Sequence, residues 1–103
     1  MVAYVILQIE VTDADKHAKY REIATPIVEK YGGRYLARGG KMEVLEGESL
    51  SRIVIVEFPS MERFKSFYDA PEYQEAKTLR QSATRGNMIV VEGAPPGGRA
   101  GAA

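Results

Sequence analysis

Residues 3–11, AYVILQIEV, are nearly continuous in apolar character, and a period of two places Val5, Leu7, Ile9 and Val11 on one face and Tyr4, Ile6, Gln8 and Glu10 on the other. That period of two predicts a β-strand. Thr12 with Asp15 three residues on then reads as a capping box, with Asp in place of Glu. Apolar positions recur at helical spacing from Ala14 to about Tyr31. Pro26 falls inside that run and predicts a kink or irregular turn near Thr25. Gly32 suits the residue just past the helix end.

The segments RYLAR and KMEVLEG flank Gly39-Gly40, and this spacing predicts a β-hairpin. Ala37 would oppose Met42 and Tyr35 would oppose Val44. Arg34, Leu36, Arg38, Lys41, Glu43 and Leu45 would form the other face. Arg38 and Lys41 would then face each other as like charges, which disfavours that pairing unless a counter-charge intervenes or the register differs. After a loop at 47–51, RIVIVEF (52–58) reads as a buried strand closed by Pro59. Ser60 should cap a helix from Met61 that places Phe64, Phe67 and Tyr68 on one side. Pro71 interrupts it and suits the first turn of a further segment, PEYQEAKTLRQSA. NMIVVEG is the last strand.

The order strand, helix, strand with hairpin, strand, helix, strand gives an α+β class: a ferredoxin-like βαββαβ domain with an added β-hairpin over residues 1–93. Residues 94–103 form a Pro/Gly/Ala-rich C-terminal tail with nothing to bury. Helices can cover only one face of the antiparallel sheet, yet Ile53 and Ile55 back Val54 and Val56, and Ile89 and Val91 back Met88 and Val90. An uncovered apolar sheet face is a large exposed patch. A second copy covering it, as a homodimer or a higher oligomer built from it, is the expected arrangement.

Composition narrows the choice of partners. The chain has 103 residues, which suits one domain, and a formal net charge of zero with no basic run. Nucleic acid is therefore not an expected partner. There is no cysteine, which removes disulfides, thiol nucleophiles and zinc ribbons. One histidine leaves only mixed carboxylate ligation for a metal, so no metal and no cofactor are expected. The first strand has no basic flank and is too short to span a membrane. The expectation is a cytoplasmic protein without a membrane partner.

The strings AYVILQIEVTD, YGGRYLARGG, EVLEG, IVIVEFPSMERFKSFYDAPEY and VVEG, in that order and spacing, resemble the DUF1330 family over roughly residues 2–93. The resemblance implies membership of the dimeric α/β-barrel superfamily, which includes cofactor-free monooxygenases, small-ring isomerases and haem-degrading proteins. Tyr20, Arg38, Glu57, Tyr68, Pro71, Glu72, Tyr73 and Arg80 fall on recurring positions of the family, which often carries Trp where this chain has Tyr68. His17 lies outside its motif, and the family supplies no catalytic assignment. The chain has no Trp, and Asn87 is its only Asn, so the Asn-plus-Trp chemistry of the haem-degrading branch has nothing to map onto.

Candidate chemistry is sparse. The glycine pairs lack the Gly-Lys-Ser/Thr helix start of a phosphate loop, and they punctuate the fold. Arg38, beside a glycine turn and near Lys41, could grip a carboxylate or enolate, or else pair with Glu57, Glu43 or a partner chain. Tyr20, Tyr68 and Tyr73 could line an apolar pocket with their hydroxyls aimed at a ligand, or simply pack the core. His17 is a candidate base, and Glu57 or Glu92 could act as one if buried, or else pair with Arg. The expected function is binding of a small anionic or phenolic molecule. One version is a cofactor-independent enzyme working by proton transfer or oxygenation. The alternative is a non-catalytic binding module or a structural dimer.

Overall fold

Alternation in the first strand fixes one face of the molecule. A computed structural model describes residues 1–95 of the chain, and in it β1 (Ala3–Val11) buries Val5, Leu7 and Ile9 under the helices. α1 (Ala14–Lys30), β2 (Arg34–Arg38), β3 (Arg52–Phe58), α2 (Met61–Asp69), α3 (Pro71–Ala83) and β4 (Thr84–Glu92) follow. The four strands form one antiparallel sheet in the order β2-β3-β1-β4. This is the ferredoxin-like arrangement, with all helices on one side. The expected tail begins at Ala94, and its residues 96–103 lie outside the described residues.

Local chemistry explains most boundaries. Asp13, not Thr12, caps α1: its carboxylate accepts from the Lys16 N–H at 3.1 Å. Thr12 instead donates its backbone N–H to Ala83, which ties the end of β1 to the end of α3. Pro26 does not break α1, which is continuous from Ala14 to Lys30. Pro26 and Glu22, four residues before it, are both exposed, so the Glu22 carbonyl that lacks an N–H partner can meet water. At the other end Gly32 takes φ +86°. Its N–H reaches the Glu29 carbonyl, and the Gly33 N–H reaches that of Val28. Those two bonds make a Schellman stop, which glycine allows at no steric cost. Ser60 caps α2 through the Arg63 N–H at 3.0 Å, and Pro71 opens α3.

The hairpin expected at Gly39-Gly40 does not form. β2 pairs with β3 instead, and residues 41–51 carry no strand. The opposed charges of Arg38 and Lys41 weigh against that hairpin, whereas β3 offers β2 a long apolar edge. Tyr35 opposes Val56 but Ala37 opposes Ile55, so a β-bulge lies between them. The extra residue reverses the alternation after Leu36. Arg38 therefore joins Tyr35 on the helix side, not Arg34 and Leu36 on the outer side as simple alternation requires.

Between sheet and helices, Phe58, Phe64, Phe67 and Tyr73 form an aromatic cluster whose ring centroids lie 4.2–6.2 Å apart. The opposite face of the sheet carries Ile6, Ile53, Ile55, Ile89 and Val91 in facing registers. Ile89 is 55% and Val91 49% exposed. No helix among the described residues is long and apolar enough to cross a membrane.

Candidate functional site

Three rows of side chains cross the helix-facing side of the sheet. Tyr35, Val56 and Val5 form one row; Arg38, Val54, Leu7 and Met88 form the next; Arg52 and Ile9 begin the third. Above them a cavity of about 40 Å³ lies between the sheet, α1 and α3. Its floor is apolar. Its remaining lining includes His17, Tyr20, Arg21, Arg38, Arg52 and Arg80, and no Asp or Glu among the described residues lines it.

At the β2–β3 end, Arg38 lies over the Tyr35 ring at 4.1 Å and donates to the Thr25 hydroxyl. Thr25 in turn donates to the Arg21 carbonyl at 2.6 Å. Arg38 has no carboxylate partner among the described residues: Glu57 is taken by Arg34 at 3.0 Å on the outer side of the sheet. The Arg52 guanidinium lies directly against Gly39, where a side chain would collide with it. Gly39 also takes φ +70°, which favours glycine there, whereas the close approach alone could be relieved by a shift of the flexible Arg52 side chain. The Nε of Arg52 is buried without a hydrogen-bond partner. Burial, then the neighbouring Arg21 and Arg38, lower the pKa of Arg52.

His17, only 6% exposed, completes this end from α1 and stacks on Tyr20 with centroids 6.2 Å apart. Burial first, then Arg52, Arg21 and Arg38, hold its pKa below the ordinary value of 6.5. The ring is thus kept neutral, able to accept a proton.

At the β4 end the chemistry differs. The Tyr73 hydroxyl, fully buried, lies 3.0 Å from the Tyr20 hydroxyl. Arg80 Nη1 donates to Tyr73 at 3.0 Å and to the Met88 sulfur at 3.4 Å. Burial pushes the Tyr73 pKa far up, so the group remains a neutral phenol. Arg80 is 7% exposed, and none of the ion pairs among the described residues involves it. A buried charge without a counter-charge costs several kcal/mol.

Of the residues singled out by sequence, Arg38, Tyr20, Tyr73 and His17 converge on this cavity. Tyr68 does not line it; its ring packs on Phe64 and Tyr73 and lies beneath Lys77. Glu57 faces the other side of the sheet. Sequence reasoning did not single out Arg52 or Arg21 as ligand groups, and it named Arg80 only as a recurring family position. Arg80 had a signal: Tyr73, Ala76, Arg80 and Ala83 recur at the spacing of one helix face, which places a charge in an apolar stripe. Among the described residues no three His, Asp or Glu side chains converge as a metal centre needs.

The model of a family described as a domain of unknown function, DUF1330, matches residues 2–94. No curated protein matches the chain. A protein of unknown function from Rhodopseudomonas palustris has a similar structure: 23% identity, 92% of this chain and 84% of that one covered, TM-score 0.78. A dimeric ferredoxin-like protein of unknown function from Jannaschia sp. CCS1 gives 14% identity, 89% and 99% coverage, and TM-score 0.72. SnoaB, a cofactor-independent oxygenase from Streptomyces nogalater, gives 12% identity, 91% and 93% coverage, and TM-score 0.60. At these identities the likeness is one of fold.

Proposed function

The chain belongs to the DUF1330 family, whose description assigns no activity, and we propose that it is a homodimer whose protomers each bind a small organic anion in the cavity between α1, α3 and the sheet. One observation carries the proposal: the buried His17 and Arg80, the half-buried Arg52 and the exposed Arg21 and Arg38 line a cavity with an apolar floor, and no carboxylate among the described residues lines it. Protein charges of one sign gathered in this way lack the counter-charge that a ligand would bring. Arg52 and Arg38 hold the anion, with Tyr20 and Tyr73 behind it. The volume of about 40 Å³ lies far below the roughly 300–1,000 Å³ of drug-sized pockets, so only a short acid suits it, and its entry requires the exposed Arg21 and Arg38 side chains to move. The dimer reading is supported by the apolar outer sheet face and by relatives that are themselves described as dimeric.

The neutral, buried His17 favours a second reading at the same site, a cofactor-independent enzyme. A carbon acid held there would lose its proton to the imidazole, and the resulting enolate oxygen would be stabilised by the guanidinium groups. The alternative is binding without turnover.

Titration with valerate and with glutarate, followed at the His17 ring by NMR, tests the anion site. Saturable binding is expected, and Arg52→Met should weaken it by at least about tenfold, as loss of a charge-assisted contact implies. Failure of both acids to bind, or indifference to the substitution, would sink the proposal. Levulinate in deuterated water separates the two modes. Exchange of its α-protons, abolished by His17→Gln, marks proton transfer; binding without exchange marks a binding module.

A further inference from the structure

We propose that the ligand is two-ended: a short organic acid carrying a carboxylate at the β2–β3 end of the cavity and a second anionic oxygen, carboxylate or enolate, at the β4 end. This inference rests on the anion site proposed above and assigns Arg80 as the residue that selects the second charge.

Two guanidinium groups of this cavity have no counter-ion among the described residues. Arg52 stands on β3, with a buried Nε that has no partner. Arg80 hangs from α3 against Met88 of β4, held only by a neutral phenol and a thioether. β1 lies between those strands, so the two anchor points are two strand spacings apart, roughly 10 Å. Both side chains line the same cavity, and its floor between them is Leu7, Val54 and Ile9. One carboxylate cannot neutralise both ends. A monoanion on Arg52 would leave Arg80, 7% exposed, without a counter-charge.

Tyr73 fits the second end. It stays protonated, and the paired Tyr20 and Tyr73 hydroxyls leave one phenolic proton free to be donated. A ligand oxygen there would meet a guanidinium and a phenol together, which is the donor set an enolate or carboxylate requires. The apolar floor accounts for a hydrocarbon link between the two ends.

Matched pairs of acids test this directly. Glutarate and valerate have the same chain length and differ by one terminal carboxylate, as do succinate and butyrate. Calorimetric titration of the wild-type protein should show at least tenfold tighter binding of one diacid than of its monoacid. Arg80→Met should abolish that preference while valerate still binds. Without ligand, Arg80→Met should unfold at the same temperature as wild type or a higher one, because it removes an uncompensated charge. Arg80→Lys, which keeps the charge, should retain a reduced preference. Equal affinity for diacid and monoacid, or a preference that survives in Arg80→Met, would overturn the two-ended ligand and leave the anion site standing. A fall of several degrees in the unfolding temperature of Arg80→Met, or its failure to fold, would make Arg80 structural and also overturn it. No binding of any of the four acids would overturn both readings.

Discussion

His17 carries the clearest single-residue consequence. Burial and three facing cations, Arg52 from β3, Arg21 from α1 and Arg38 from β2, hold its pKa down in the folded protein. In the unfolded chain it titrates near 6.5. Between the depressed value and 6.5 the unfolded state therefore binds more protons, and folding stability rises with pH there. The stabilisation is complete above the ordinary value and is lost as pH falls through 6.5 toward the folded value. Urea midpoints measured from pH 7.5 down to pH 5 should fall for the wild type relative to His17→Gln. Parallel curves for the two proteins would show that His17 is not held neutral. A bound anion opposes the arginines and should flatten the wild-type curve.

Elements differ in how far their own residues define them. α2 is defined locally: Ser60 satisfies the Arg63 N–H, and Phe64 and Phe67 supply one buried stripe. Ser60→Ala should cost about 1 kcal/mol of unfolding free energy. A loss within experimental error in chemical denaturation would show that water replaces the cap. β2 is the opposite case. Its five residues carry an alternation that places Arg38 outward, and the bulge opposite Val56 and Ile55 turns it inward. That reversal comes from pairing with β3, a partner fourteen residues further on at the nearest point, Arg38 to Arg52. Residues 41–47 illustrate the same limit: β-like in pattern, they pair with no strand among the described residues. Leu45, 87% exposed, is left in solvent there.

At the scale of the whole molecule, the unanswered surface is the outer sheet face. Leu36 is 47%, Ile89 55% and Val91 49% exposed, and Ile6, Ile53 and Ile55 sit among them. Such a contiguous patch marks an interaction site, and a symmetric dimer can bury the same patch twice. The double substitution Ile55→Lys and Ile89→Lys puts positive charge at the centre of that face without touching the cavity. Sedimentation velocity should show a dimer for the wild type and a monomer for the variant. A wild-type monomer at micromolar concentration would rule out the homodimer.

The sequence by itself determined what depends on neighbours along the chain. The β1 alternation, the Ser60 cap, the Gly32 stop, Pro71 at the head of α3 and the two-sided apolar character of β1, β3 and β4 were all legible, because period and capping act over a few residues. Together they sufficed for the ferredoxin-like order, and the quoted motifs sufficed for the family. Tyr20, Tyr73, Arg38 and His17 were likewise legible as candidates, although their meeting was not. Only the tertiary structure decided that a bulge turns Arg38 inward, that Gly39 lies against the Arg52 guanidinium, and that Glu57 is spent on Arg34 across the sheet. It alone decided that Arg80 lies buried beside Tyr73. These are pairings between residues far apart in the chain, and electrostatic balance in a cavity depends on which charges meet there. A chain of zero net charge can therefore hold a site lined by cations alone, and no count of its residues reveals it.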